Sequence, residues 1–177
     1  MKKLLILLSA LLLLILGACG SSDVSTGGEG NSTEAKKEGQ KEEKKVEEGT
    51  KTIDATSQTV EAAGMKVGLG EIKISKDKIE VGVNLENTSD GVLHFYPDQG
   101  SAVIGDMQID SNMFMTDGDL GGEVQPSVKQ DGVLQYLAPD GKEIDVNAIS
   151  EIKLIFGEVN TDDYMTNEKV EFTVPVK

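Results

Sequence analysis

The chain offers little nucleophilic chemistry: one imidazole, His94, and one thiol, Cys19. A nucleophile needs a base within hydrogen-bond reach. His94 lies between Leu93 and Phe95, a setting that reads as a partly buried strand position rather than a catalytic one. No serine stands in a Gly-x-Ser-x-Gly elbow, the sharp turn that exposes a serine nucleophile. A zinc site takes about four nitrogen or sulfur ligands, which one histidine and one cysteine do not supply. Asp106, Asp110, Asp117, Asp119 and Glu123 form the one acidic concentration, in a glycine-rich stretch. Calcium favours several carboxylate and carbonyl oxygens, yet Asp117-Gly118-Asp119-Leu120-Gly121-Gly122-Glu123 lacks the spacing of a calcium loop and reads as a solvated acidic turn. The same carboxylates could be paired for glycoside hydrolysis only at a defined separation. Gly68 and Gly70 lack the further glycines and following helix of a phosphate loop. The expectation is a non-catalytic protein with no cofactor and no metal.

The elements that position these residues follow a period of two. Ile79, Val81, Val83 and Leu85 alternate with Glu80, Gly82, Asn84 and Glu86, the pattern of a half-buried strand. Ile152, Leu154 and Phe156 alternate in the same way, as do Val170, Phe172, Val174 and Val176. Val133 to Leu137 reads as a strand buried on both faces. Val67 and Leu69 share one phase and Ile72 and Ile74 the other, so a bulge at Gly70-Glu71 is expected to restore the inward face. Turns are expected at Lys76-Asp77 and Asn87–Gly91, where Asn, Ser, Asp and Gly concentrate. Leu93–Tyr96 is a short strand stopped by Pro97. A small hairpin turns at Gly105-Asp106. Pro175 places the last strand at a sheet edge. Asp145–Ile149 is a weak helical turn. Short strands joined by turn residues argue for a β-sandwich, with a small closed barrel as the alternative.

The N-terminus is built differently. Lys2 and Lys3 precede an apolar run from Leu4 to Leu16, followed by Gly17, Ala18 and Cys19. A charged start, an apolar run of roughly 7–15 residues and a small-residue cleavage site define a secretory signal, and the run is shorter than the roughly 20 residues of a membrane span. Leu16-Gly17-Ala18-Cys19 resembles the lipobox of bacterial lipoproteins. The resemblance implies removal of residues 1–18 and a diacylglycerol thioether on Cys19, whose two acyl chains hold durably where one holds marginally. Residues 19–50 read as a lipid-anchored, disordered, low-complexity linker. Gly, Ser, Thr, Glu and Lys dominate it, and Val24, Ala35 and Val46 are its only aliphatic residues, too few to offset the entropy of ordering. Residues 51–177 have the composition and length of one globular domain. The formal net charge of -14 argues against nucleic acid, where basic patches supply most of the affinity, and against direct adhesion to an anionic bilayer.

Val83-Asn84-Leu85-Glu86-Asn87-Thr88, Phe95-Tyr96-Pro97-Asp98-Gln99-Gly100, Met107-Gln108-Ile109, Gly121-Gly122-Glu123 and Gly132-Val133-Leu134 together resemble the immunoglobulin-like domain of unknown function found in lipoproteins of Bacillus-type Gram-positive bacteria. Related domains carry the misleading label telomeric-repeat-binding factor. The resemblance implies an all-β, immunoglobulin-like sandwich on the outer face of the cell membrane, and no chemistry. The antibody-type hallmarks of a core Trp and a Cys pair are absent, because the chain has no Trp and its only Cys lies in the lipobox. The function expected is a membrane-anchored binding or interaction domain for a protein or cell-envelope partner. The alternatives are a structural or accessory envelope component and a carboxylate-dependent hydrolase. Candidate binding residues are Phe95, Tyr96, Asp98 and Gln99 with Asp117 and Asp119, since loops and exposed aromatics carry recognition. Phe95 or Tyr96 could equally be core.

Overall fold

The computed structural model describes residues 24–28 and 49–176. Signal residues 1–18, Cys19 and residues 29–48 of the linker lie outside the described residues. In chain order the strands are β1 (Lys51–Asp54), β2 (Thr59–Ala62), β3 (Met65–Ile74), β4 (Lys78–Asn87), β5 (Leu93–Phe95), β6 (Ser101–Ile104) and β7 (Met107–Asp110). They continue with β8 (Asp117–Asp119), β9 (Gly122–Val124), β10 (Lys129–Leu137), β11 (Glu151–Thr161) and β12 (Asn167–Pro175). One sheet has the order β1-β3-β4-β10-β8, with β2 also on β3, and the other β7-β6-β11-β5-β9, with β12 on β11. Every ladder is antiparallel. The protein is an all-β sandwich, as the alternation predicts.

The inward face of β4 is Ile79, Val81, Val83 and Leu85, all buried. It packs in one cluster with Ile152, Leu154 and Phe156 of β11 and Val170, Phe172 and Val174 of β12. Phe156 and Phe172 meet at a ring-centroid distance of 5.6 Å, tilted by 60°. Burying each such side chain contributes about 1.5–3 kcal/mol, so the central strands hold most of the stability. The β3 bulge lies where the sequence puts it: the register with β4 jumps between Leu69 and Ile72, leaving Gly70 and Glu71 opposite Gly82. A second bulge, outside the sequence reading, falls in β11 between Ile155 and Gly157. It turns Val159 onto the face of Phe156, and Gly157 takes a φ of 96°, a conformation that side chains with a Cβ resist. Pro175 sits on β12, which pairs only with β11 and is an edge. Asn87 is buried at the turn after β4. Its amide donates to Gly91 O and Val124 O at 2.8 Å, joining the end of one sheet to β9 of the other. Asp145–Ile149 forms an isolated turn, closed by Ala148 N donating to Asp145 O.

Two expectations need correction. Leu134 and Tyr136 of β10 are buried in the core, but Leu137 is exposed; both-face burial is confined to Val133 and Leu134. The linker is also not wholly separate from the domain. Val24 is buried, and Ser25 and Thr26 bond to the first sheet. Composition averages hide this, because hydrogen bonds to the strands and one buried valine hold these few residues where bulk hydrophobicity would not.

Candidate functional site

The structure separates the residues chosen from sequence. Phe95 is fully buried because β5 lies inside its sheet, between β9 and β11; it is a core residue, and the binding role assigned to it is withdrawn. Tyr96 is 44% exposed. Pro97–Gln99 forms a 3-10 turn in which Gln99 is exposed and Asp98 half-buried. Asp117 and Asp119 are exposed but do not sit in a loop: they form edge strand β8, where Asp119 faces Asp131 and Asp117 faces Val133 across the ladder to β10. Gly122 and Glu123 pair with Phe95 and His94, so the end of the acidic stretch does meet the Tyr96 turn, while Asp117 and Asp119 belong to the other sheet.

The five acidic side chains are thereby distributed over both sheets. Asp106 and Asp110 lie on the β6–β7 hairpin and Glu123 on β9, opposite in layer to Asp117 and Asp119. Among the described residues no group of three His, Cys, Asp or Glu could hold a metal ion. A site filled to ten times its dissociation constant would stabilise the fold by about 1.4 kcal/mol, a shift of about 5 °C for a domain of this size. We expect millimolar calcium to leave the melting temperature unchanged, in the native chain and in an Asp117→Asn, Asp119→Asn variant alike. A calcium-dependent rise lost in the variant would restore the calcium-loop reading.

His94 is buried on β5. Its Nε2 lies 3.2 Å from Asp162 Oδ1, and its ring stacks on Tyr164 at 5.1 Å. Asp162 and Tyr164 belong to the β11–β12 turn, so the histidine anchors that hairpin tip to the sheet.

Two features stand out that the sequence reading did not select. The first is a 3-10 turn, Met113–Met115, that presents Phe114 at 93% exposure beside half-exposed Met113 and Met115. It is held from below: Asn112 N donates to Gln135 O, Asn112 Oδ1 accepts from Phe114 N at 3.1 Å, and Ser111 bridges to Tyr136. The Tyr136 phenol beneath is buried, which pushes its pKa well above the usual tyrosine value. The second is a trough on the outer face of the first sheet, floored by Gly70 and Gly82 and filled by Val24–Gly28. Ser25 O accepts from Glu71 N at 2.7 Å, and Ser25 N donates to Glu71 Oε2 at 3.2 Å. Asn84 Nδ2 donates to Thr26 O at 2.8 Å, and Thr26 Oγ1 donates to Asp131 Oδ2 at 3.0 Å. A cavity of about 230 Å³ adjoins it, lined in part by Gly28, Lys66, Glu86 and Lys129. A sequence signal existed: glycines inside strands mark close approach of another backbone, and Gly70 and Gly82 share an outward face.

No protein-family model matches the chain, and no curated protein matches its sequence. Solved structures are similar. A functionally unknown protein from Listeria monocytogenes aligns at 12% identity over 72% of this chain and 86% of its own, with a TM-score of 0.52. The candidate lipoprotein ycdA of Bacillus subtilis aligns at 12% identity over 70% of this chain and 39% of its own, with a TM-score of 0.45. The yjhA protein of Bacillus subtilis aligns at 11% identity over 71% of this chain and all of its own, with a TM-score of 0.44. At such identities the likeness to the Listeria protein is one of fold. No helix among the described residues is long and apolar enough to cross a membrane.

Proposed function

We propose that the chain is an extracytoplasmic lipoprotein, anchored through a diacylglycerol on Cys19, whose sandwich is a non-catalytic binding module for a protein of the cell envelope. The observation that carries the reading is the Met113–Met115 turn. A phenylalanine at 93% exposure, held by a side-chain cap and a bond to β10, is an apolar group presented in a fixed place. Aromatic residues and methionine are enriched where proteins meet, and Met adapts its shape to a partner. The carboxylates beside the trough support a binding rather than a hydrolytic role. Glu86 pairs with Lys129 at 3.5 Å, and Asp131 holds Thr26, so both are engaged within the fold.

The test is cross-linking on intact cells. A photoreactive phenylalanine analogue at position 114 is expected to give one discrete protein adduct, and the same group at position 171, on β12, none. Phe114→Ser should leave melting within about 0.5 kcal/mol of the native value, as surface changes do. Equal labelling from both positions, or none from 114, would overturn the assignment of this surface.

A further inference from the structure

We propose that the outer face of the first sheet is a peptide-binding groove whose resident ligand is the chain's own Val24–Gly28, and that this segment is a releasable strap between the N-terminal anchor and the sandwich.

The floor is built for a backbone. A Cβ at Gly82 would lie 2.1 Å from Ser25 O, and one at Gly70 would come equally close. Any larger residue at either position excludes the strap. The β3 bulge supplies the central donor. With two residues opposite one, the Glu71 N–H leaves the β3–β4 ladder and bonds Ser25 O instead. Both backbone groups of Ser25, the Thr26 carbonyl and the Thr26 hydroxyl are each met by a named partner, so the groove reads an extended peptide and selects a hydroxyl at its third position. Val24 and Val133 are the buried apolar residues outside the main core cluster. Val133 pairs with Gly82 in register, which places an apolar contact beside the trough. The ligand class is therefore an extended peptide of small residues with a Thr or Ser over Asp131.

The consequence for the tether rests on the lipid-anchor reading above. Four residues lie between Cys19 and Val24, and the five steps from one to the other span at most about 18 Å. With the strap released, the chain from Cys19 to Lys51 spans up to about 110 Å. Docking thus keeps the sandwich at the membrane surface, and release lets it reach into the wall.

Amide hydrogen exchange on the full chain tests the groove. In the native protein the Ser25 and Glu71 amides are expected to exchange on the order of tenfold or more slower than free peptide. Gly82 has no positive φ, so Gly82→Ala suits the strand and fills only the trough. It should return both amides to near free-peptide rates while Val81 and Val83 keep their protection. If Gly82→Ala instead loosens the whole ladder, Asn84→Val asks the same question by removing the donor to Thr26. Unchanged Glu71 protection in the variant that stays folded, or a freely exchanging Ser25 amide in the native chain, would overturn the proposal. The exchange result does not depend on lipid; failed palmitate labelling would remove the anchor and the tether argument but leave the groove.

Discussion

Val83→Asp is expected to abolish cooperative thermal unfolding and to leave a chain without stable sheet structure at 25 °C. Val83 is fully buried in the middle of β4, with Leu69 opposite on β3 and Gly132 opposite on β10. Strands flank it on both sides, so backbone rearrangement cannot carry the new carboxylate to water without breaking two ladders. The inward cluster around it is aliphatic and aromatic and offers no cation. An unpaired charge in such a place costs several kcal/mol or more, and the entire stability of a domain is roughly 5–15 kcal/mol. Val83→Thr grades the effect: nearly the same shape with an unpartnered hydroxyl, at a cost of about 1–3 kcal/mol. Circular dichroism and calorimetry read both. A Val83→Asp protein melting within a few degrees of the native one would mean that β4 presents its other face to the core.

The same strand shows what a sequence discloses. Burial on one face forces strict alternation, so β4, β11 and β12 could be placed from apolar spacing, and the bulge at Gly70-Glu71 from a single broken phase. What the bulge does was not legible. Its Glu71 N–H bonds a segment distant in the chain, and nothing local at Ser25 or Thr26 encodes that meeting. Phe95 misled for a related reason. Followed by Tyr96 and Pro97 it has the composition of a recognition loop, but burial follows from β9 and β11 on either side of β5, and such pairings are long-range. Asp117 and Asp119 misled because charge and glycine signal a loop, while β8 is an edge strand whose exposed side tolerates both. Three apolar residues in a row, Met113–Met115, carry no sequence signal that distinguishes an exposed turn from core. Only the cap by Asn112 and the hold on β10 show that they are turned outward.

Cys19→Ala is expected to abolish incorporation of labelled palmitate and to prevent normal signal cleavage, leaving the precursor unprocessed. Leu16-Gly17-Ala18-Cys19 carries the motif, and the thioether needs the sulfur; no second cysteine in the chain can substitute. The size of the effect follows from what else could hold the protein. Each buried methylene contributes about 0.8 kcal/mol, so a diacylglycerol is a durable anchor and its loss is not a graded one. A polybasic surface can serve as a second attachment in other anchored proteins, but the acidic balance here is repelled by anionic lipid. Removal of residues 1–18, as the lipobox resemblance implies, would take Lys2 and Lys3 with it and lower the formal charge from -14 to -16, which would strengthen the repulsion. Cys19→Ser is expected to behave the same way, since its hydroxyl nearly keeps the size of the side chain but offers no thiolate, which separates loss of the sulfur from loss of bulk. Persistent palmitate label in either variant would show that the lipid is attached elsewhere and would overturn the lipobox assignment.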